Sequence, residues 1–184
     1  MKKQKIFLTC FPLIIGVLIY LFFRSRHLFY FQLLKHLSLD IHIIETRNYI
    51  RTFRHLFPNW IIYSLPDGVW LFSFGIALLV NRIYFPLISK IYTIIYIFMI
   101  FIEFFQLRFG GHGTFLGTFD LMDIYCFTGG YFLAISISFF FWKKQLKIEF
   151  EKQNSFTKLY EIKRSIFIII IFTFLGFLPS LIKL

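Results

Sequence analysis

The chain has 184 residues, of which 58% are hydrophobic and 16% are charged, and its formal net charge at pH 7 is +11. A soluble domain is about one-quarter charged and about half apolar, so this composition excludes a soluble globular protein and indicates an α-helical integral membrane protein. The basic residues flank apolar runs, as they do in the loops of membrane proteins, and we therefore expect no nucleic-acid partner.

Apolar runs of membrane length predict the architecture, an all-α polytopic bundle of about five transmembrane helices. An interfacial amphipathic segment is predicted at 24–60, where apolar residues recur four apart, as at Phe29, Leu33 and Leu37. The sequence has no internal repeat or linker, so we expect residues 1–184 to form a single integral membrane domain. The five predicted spans cover 6–23, 65–80, 84–107, 120–142 and 165–181.

The first run follows Lys2, Lys3 and Lys5, a pattern that signal peptides share with N-terminal transmembrane helices. The run is long and no small-residue cleavage site follows it, which favours an uncleaved helix. If the N-terminus is cytoplasmic, the cytoplasmic segments contain more Lys and Arg residues than the segments on the other side of the membrane, as is typical of membrane proteins. This bias favours a cytoplasmic N-terminus.

The second run opens with the signature of a helix start. Ser64 is expected to be the N-cap, Pro66 lies in the first turn, and Asp67 occupies the N3 position of a capping box. The apolar run that follows is short for a bilayer-spanning helix.

The stretch 102–130 joins the third and fourth runs through a glycine-rich loop. Charged side chains at the mouth of an apolar span are costly and usually have a partner or a function. In chain order its polar residues are Glu103 and Gln106 at the end of the third run, Arg108 and His112 in the loop, and Asp120 and Asp123 at the start of the fourth run.

Alternation of the spans puts the start of the second, the end of the third and the start of the fourth at one membrane face. Residues three apart share a helical face, so Glu103 lies with Gln106 and Asp120 lies with Asp123. We expect these two pairs to face each other, with Arg108 as their counter-ion. The polar residues expected at this face are Ser64, Asp67, Glu103, Gln106, Arg108, His112, Asp120 and Asp123.

Two interpretations of these residues follow. In the first they only cap and pair helices, because Asp67 and Asp123 lie near helix N-termini, where acidic side chains are favourable. In the second they line a functional pocket, because Glu103 lies about a turn inside its helix, where capping does not explain it. The candidate catalytic residues are then Glu103, Asp120 and Asp123, and the candidate ligand-binding residues are Asp67, Gln106, Arg108, His112 and Gly130, a glycine that also lets a neighbouring helix approach closely.

Such a pocket admits three kinds of chemistry. Clustered carboxylates hold Mg²⁺ or Ca²⁺ through oxygen ligands, a buried glutamate acts as general acid or base at a lipid headgroup, and Arg108 with the N–H groups of the glycine loop holds a phosphate. The sequence carries no signature of a Ser-His-Asp hydrolase or an H-E-x-x-H metalloprotease, and it assigns no metal and no cofactor. Both an enzyme and a non-enzymatic helper, whose partner contacts the basic segments at 24–60 or 143–164, fit these residues.

The same residues carry a family resemblance, which covers residues 64–140. Glu103-Phe-Phe-Gln106, Arg108, Thr118-Phe-Asp120-Leu-Met-Asp123 and Gly129-Gly130 resemble the pattern of the VanZ-like family of bacterial membrane proteins, named after a teicoplanin-resistance protein, and Pro66-Asp67 resembles its first acidic position. The sequence departs from that pattern in lacking the Asn that commonly follows the second Asp and in having a longer glycine loop. The resemblance implies a protein of the bacterial cytoplasmic membrane, linked to the envelope or to glycopeptide response, with an unsettled biochemical mechanism. From the convergence of polar residues at one face we expect membrane lipids, and a lipid or glycopeptide-related headgroup, as partners.

Overall fold

The structure is a computed structural model that describes residues 2–24, 34–38, 40–111, 117–146 and 155–177. All regular secondary structure in these residues is helical. A short 3₁₀ helix, Phe53–Leu56, lies between the α-helices Asp40–Thr52 and Asn59–Tyr63. The α-helices are α1 (Lys2–Phe23), α2 (Asp40–Thr52), α3 (Asn59–Tyr63), α4 (Leu65–Leu79), α5 (Phe85–Phe109), α6 (Leu121–Leu146) and α7 (Ser155–Phe177).

Three helices are long and apolar enough to cross a membrane, namely Lys3–Phe23, Phe85–Phe109 and Leu121–Gln145. They coincide with the first, third and fourth predicted spans. The second predicted span forms α4, which is apolar but only 15 residues long. Residues 165–177 of the fifth lie in α7, which begins ten residues before the predicted start and carries charged residues in its first half. Residues 178–181 lie outside the described residues.

The centre of the bundle is α4, the helix that is apolar around its whole circumference. Leu71, Ile76 and Leu78 on it are fully buried. It packs most extensively on α6 and α1, and also on α7, α5 and α3. A helix that is hydrophobic all round is stable when it is enclosed, and α4 is enclosed by its neighbours, whereas α1, α5 and α6 expose large apolar side chains outward.

Small residues bring α4 and α6 into backbone contact. A Cβ atom placed on Gly68 would lie 2.5 Å from the Cys126 carbonyl oxygen, and one on Gly75 would lie 2.6 Å from the Ala134 Cβ. A Cβ on Gly130 would collide with the carbonyl oxygen of Gly68. Gly130 therefore admits the close approach that the sequence predicts, but its partner is α4, on which α6 packs more extensively than on α5.

The segment predicted as one interfacial helix at 24–60 has several parts. Phe29 and Leu33 lie outside the described residues. The described part is divided into α2, the 3₁₀ turn and α3, with Pro58 extended between the last two. Arg47 on α2 is 1% exposed, and its guanidinium donates to the backbone carbonyls of Leu21, at 2.8 Å, and of Arg24. This side chain fixes α2 to the end of α1.

Polar side chains close the opposite end of the bundle. Lys5 Nζ donates to the carbonyls of Ala77 and Val80, both at 2.8 Å, which satisfies acceptors at the C-terminus of α4. The Glu161 carboxylate on α7 accepts from the backbone N–H groups of Ile83 at 2.9 Å and Tyr84 at 3.0 Å. These bonds join α7 to the start of α5.

Arg82 completes that end of the bundle. Its Nε donates to the Leu78 carbonyl at 2.7 Å. Burial, with a smaller contribution from Arg164, lowers the pKa of the Arg82 guanidinium to about 10. The side chain therefore remains charged at neutral pH.

Candidate functional site

Four carboxylates approach one another where the start of α4, the end of α5 and the start of α6 lie together. Glu103, near the end of α5, interacts electrostatically with Asp67 on α4 and with Asp120 and Asp123 at the start of α6. Asp123 interacts in turn with Asp67 and with Asp120. We call these four residues the carboxylate cluster. Like charges at close range repel one another, so the cluster requires protons, cations or hydrogen-bond donors.

Glu103 is the most deeply buried member of the cluster, with 6% of its surface exposed. The backbone of Asp120 hydrogen-bonds its carboxylate, but Oε2 has no hydrogen-bond partner among the described residues. A buried carboxylate oxygen without a partner destabilises a protein strongly. Helix capping does not explain this position.

Asp120 is the residue that caps α6. Its Oδ1 accepts from the backbone N–H of Met122 at 2.9 Å, and its carbonyl accepts from the N–H of Asp123 at 3.1 Å. The sequence-based interpretation that Asp123 caps this helix is therefore wrong. Because α6 begins at Leu121, the side chain that reaches its first free N–H groups belongs to the residue before it.

Helix α4 begins directly after Ser64 with Pro66 and Asp67 in its first turn, as predicted, but the side-chain hydrogen bond of the predicted capping box is absent. The backbone N–H of Ser64 donates to the carbonyl of Trp60 at 2.9 Å, and Ser64 makes no side-chain cap. Since α3 runs directly into α4, Ser64 has helical geometry and its hydroxyl is used elsewhere. Asp67 accepts at Oδ1 from the Tyr20 hydroxyl at 3.2 Å instead.

Ser64 links the start of α4 to the start of α6. Its hydroxyl is fully buried, donates to Asp120 Oδ2 at 3.5 Å and also faces the Asp123 carboxylate. Asp123 itself is half-buried, and its Oδ1 has no hydrogen-bond partner within the described ranges. The cluster thus contains two buried acceptor oxygens that no described donor satisfies, one on Glu103 and one on Asp123.

The cation that acts on the cluster is Arg24, at the end of α1. Its charge stabilises the carboxylates of Asp67 and Asp123. The guanidinium lies 4.7 Å from the centroid of the Tyr20 ring and 5.2 Å from that of Tyr63. Its Nη2 donates to the Tyr63 carbonyl at 3.0 Å, while its buried Nε has no partner in the described part of the chain. These two rings and the carbonyl hold the guanidinium in place.

Arg24 is not among the polar residues that the sequence predicts at this face. The signal was available, because alternation of the spans puts the end of the first at the same face as the start of the second. Arg108, the expected counter-ion, is exposed. No hydrogen bond or ion pair between described residues joins it to the cluster. Its place near the end of α5 turns it outward, away from the side that carries Glu103.

The remaining candidate residues occupy different surroundings. Gln106 is half-buried, and its Nε2 lies 3.8 Å from where a Cβ on Gly117 would be. Gly130 is a packing contact against α4, as described above. His112 lies outside the described residues.

The cluster does not have the form of a metal site. Within the described ranges, no group of three or more His, Cys, Asp and Glu side chains is arranged to hold a metal ion. The four carboxylates are near enough to repel but do not converge as a coordination shell. The arrangement can accept protons, and it can accept hydrogen bonds from a cationic donor.

Comparison of the chain with family models, with curated proteins and with solved structures found no match.

Proposed function

We propose that this chain is a VanZ-like multi-pass protein of the bacterial cytoplasmic membrane, whose carboxylate cluster binds or acts on a lipid or glycopeptide-related headgroup. The membrane setting is supported by the three helices that are long and apolar enough to cross a bilayer. The headgroup is supported by the position of the cluster at the ends of these helices, where polar lipid groups meet the apolar core.

The proposed topology has five spans and a cytoplasmic N-terminus. The two additional spans are α4 and α7, which pack against each other inside and beside the three long helices. In this orientation the end of α1 and the cluster face outward, toward the cell envelope. Labelling of single cysteines with a membrane-impermeant reagent tests it, in a chain whose native Cys10 and Cys126 are replaced by Ser. A cysteine at Phe109 should react in intact cells and one at Lys144 should react only after lysis; the reverse result contradicts the orientation.

One observation carries the proposed function, the buried Oε2 of Glu103, which lies near three aspartates and has no partner among the described residues. If Glu103 served only packing, a neutral or apolar side chain would fill the same space without the free-energy cost of burying a carboxylate. A ligand that donates hydrogen bonds, or a substrate that exchanges a proton with Glu103, gives the position a purpose.

The test is the Glu103→Gln substitution, which keeps the shape of the side chain and removes its charge. The resemblance indicates the readout, the teicoplanin susceptibility of bacteria that express the chain. We expect the variant to lose the effect of the wild-type chain while its membrane level and its melting temperature in detergent stay within a few degrees. The matched control is Glu45→Gln, because Glu45 is an exposed glutamate on α2.

A second candidate function is that of a non-enzymatic membrane helper whose acidic residues serve only the fold. The observation that favours it is that Asp120 caps α6 and Asp67 bonds Tyr20, both ordinary structural roles. This candidate predicts that Glu103→Gln retains full activity and that a stoichiometric partner protein co-purifies with the chain. Retained activity would exclude the headgroup function.

A further inference from the structure

We propose that the carboxylate cluster recognises the primary ammonium group of a zwitterionic phospholipid, with Glu103 and Asp123 accepting its hydrogen bonds and Arg24 contacting its phosphate. This inference rests on the proposed function, because it names the class of headgroup that the same site takes.

The carboxylate cluster requires protons, cations or hydrogen-bond donors, and we assign part of this requirement to a cationic ligand. The cluster brings together four carboxylates, and Arg24 supplies a positive charge that acts on two of them, Asp67 and Asp123. Tyr20 and Ser64 supply one hydroxyl donor each, to Asp67 and to Asp120. A ligand with one positive charge therefore reduces the repulsion that the protein itself leaves uncompensated.

The independent observation is the burial of Glu103, which is more than nine-tenths buried while the backbone of Asp120 hydrogen-bonds its carboxylate. Its Oε2 is satisfied by no described donor, and the same is true of Asp123 Oδ1. A primary ammonium carries three N–H donors on one atom. It therefore fits a site with two buried carboxylate oxygens that no described donor satisfies better than a ligand with one donor.

A metal ion and a quaternary ammonium fit less well. The described His, Cys, Asp and Glu side chains form no ligating group of three. A quaternary ammonium has no N–H to donate and is typically held against aromatic faces. The two tyrosine rings beside the cluster, those of Tyr20 and Tyr63, already lie against the guanidinium of Arg24.

Arg24 supplies the group that a phosphate requires. It lies one residue beyond the end of α1, at the same end of the bundle as the cluster, and no described residue accepts a hydrogen bond from its Nε. Guanidinium groups bind phosphate through charge-assisted hydrogen bonds. A zwitterionic headgroup can therefore place its positive ammonium beside the carboxylates and its negative phosphate beside the guanidinium of Arg24.

The test compares lipids that share acyl chains and differ only in headgroup. The full chain, purified in a mild detergent, is melted with added phosphatidylethanolamine, phosphatidylcholine or phosphatidylglycerol. Because a ligand that binds the folded state raises the melting temperature by an amount that increases with its affinity, phosphatidylethanolamine should give a shift at least twice that of either other lipid at the same concentration. The excess should disappear in Glu103→Gln and Arg24→Gln and persist in the control Glu45→Gln.

Equal shifts with all three lipids overturn the inference, and so does an excess that survives in Glu103→Gln. Either result leaves the proposed headgroup function to be decided by its own susceptibility test. If Glu103→Gln does not fold, the comparison of headgroups on the wild-type chain still decides, and Asp123→Asn serves as the second variant. Soluble phosphoethanolamine is the last arm. A shift from it as large as that of the lipid overturns the assignment of a lipid as the source.

Discussion

Gly130 on α6 lies directly against Gly68 on α4, so that a single added methyl group at position 130 would strike the Gly68 carbonyl oxygen. The next residue back offers a contrast, because a Cβ on Gly129 would meet no atom within 4 Å. The contact between α4 and α6 therefore depends on one of two adjacent glycines.

We predict that Gly130→Ala destabilises the protein by about 1–3 kcal/mol, since overpacking of a tight contact displaces the backbones. Gly129→Ala should be neutral or stabilising by about 0.5–1 kcal/mol, because Ala is the better helix former. Thermal or denaturant unfolding of the two purified variants in the same detergent measures the difference. Equal stabilities would show that α4 and α6 are not in backbone contact.

A second prediction concerns the counter-ion of the cluster. Arg24→Gln should lower the melting temperature, because it removes the charge that acts on Asp67 and Asp123 and leaves both carboxylates without compensation. Arg108→Gln should change the free energy of unfolding by less than about 0.5 kcal/mol, as is usual for exposed substitutions, and should leave the melting temperature nearly unchanged. A larger loss in Arg108→Gln than in Arg24→Gln would restore the sequence-based assignment of Arg108.

The capping role of Asp120 gives a third prediction. Asp120→Ala should cost about 0.5–2 kcal/mol of stability, the range for loss of an N-cap, whereas Asp120→Asn should retain most of it because Asn is an equally good cap. Measuring both stability and activity separates the two roles of this residue. A stable but inactive Asp120→Asn variant would show that the charge itself is used, and a stable, active one that capping is its whole contribution.

The fourth prediction concerns the opposite end of the bundle. Glu161 is 7% exposed and accepts from two backbone N–H groups, so Glu161→Ala should destabilise the protein by about 1.5–3 kcal/mol, the range for hydrogen bonds to a charged group. Removal of the exposed Glu45 by the same change should have little effect. Because the bonded groups precede α5, hydrogen exchange at Ile83 and Tyr84 should accelerate in Glu161→Ala. Unchanged exchange there would contradict the pairing.

Much of the architecture could be predicted from hydropathy, because apolar runs of membrane length have few alternative structures. The first, third and fourth runs are helices of the expected length and position. Helix α7 is longer than its apolar run. Its apolar half was predicted, but the helix extends back through a charged segment because Glu161 pairs with the start of α5, a contact between residues 77 positions or more apart.

The candidate site was partly predictable for the same reason. Alternation of spans places the ends of α4, α5 and α6 together, and Ser64 does meet Asp120 across that interface. Which side chain caps, and which cation pairs, depends on a helix boundary and on helix rotation. A shift of the boundary by one residue moves the cap to Asp120, and the rotation of α5 turns Arg108 outward while Glu103 faces inward. Patterns of residue type do not determine these details.

The enclosure of α4 also has a consequence for how the molecule is made. This helix touches α1, which precedes it along the chain, but its most extensive contact is with α6, which follows more than 40 residues later. During synthesis the face of α4 that carries Gly68 and Gly75 is therefore covered by lipid or by the insertion machinery until α6, with Gly130, has been made. Asp67 lies on the same helix, and the bond from Ser64 to Asp120 also forms only when α6 packs on α4. The carboxylate cluster is therefore assembled when the bundle closes.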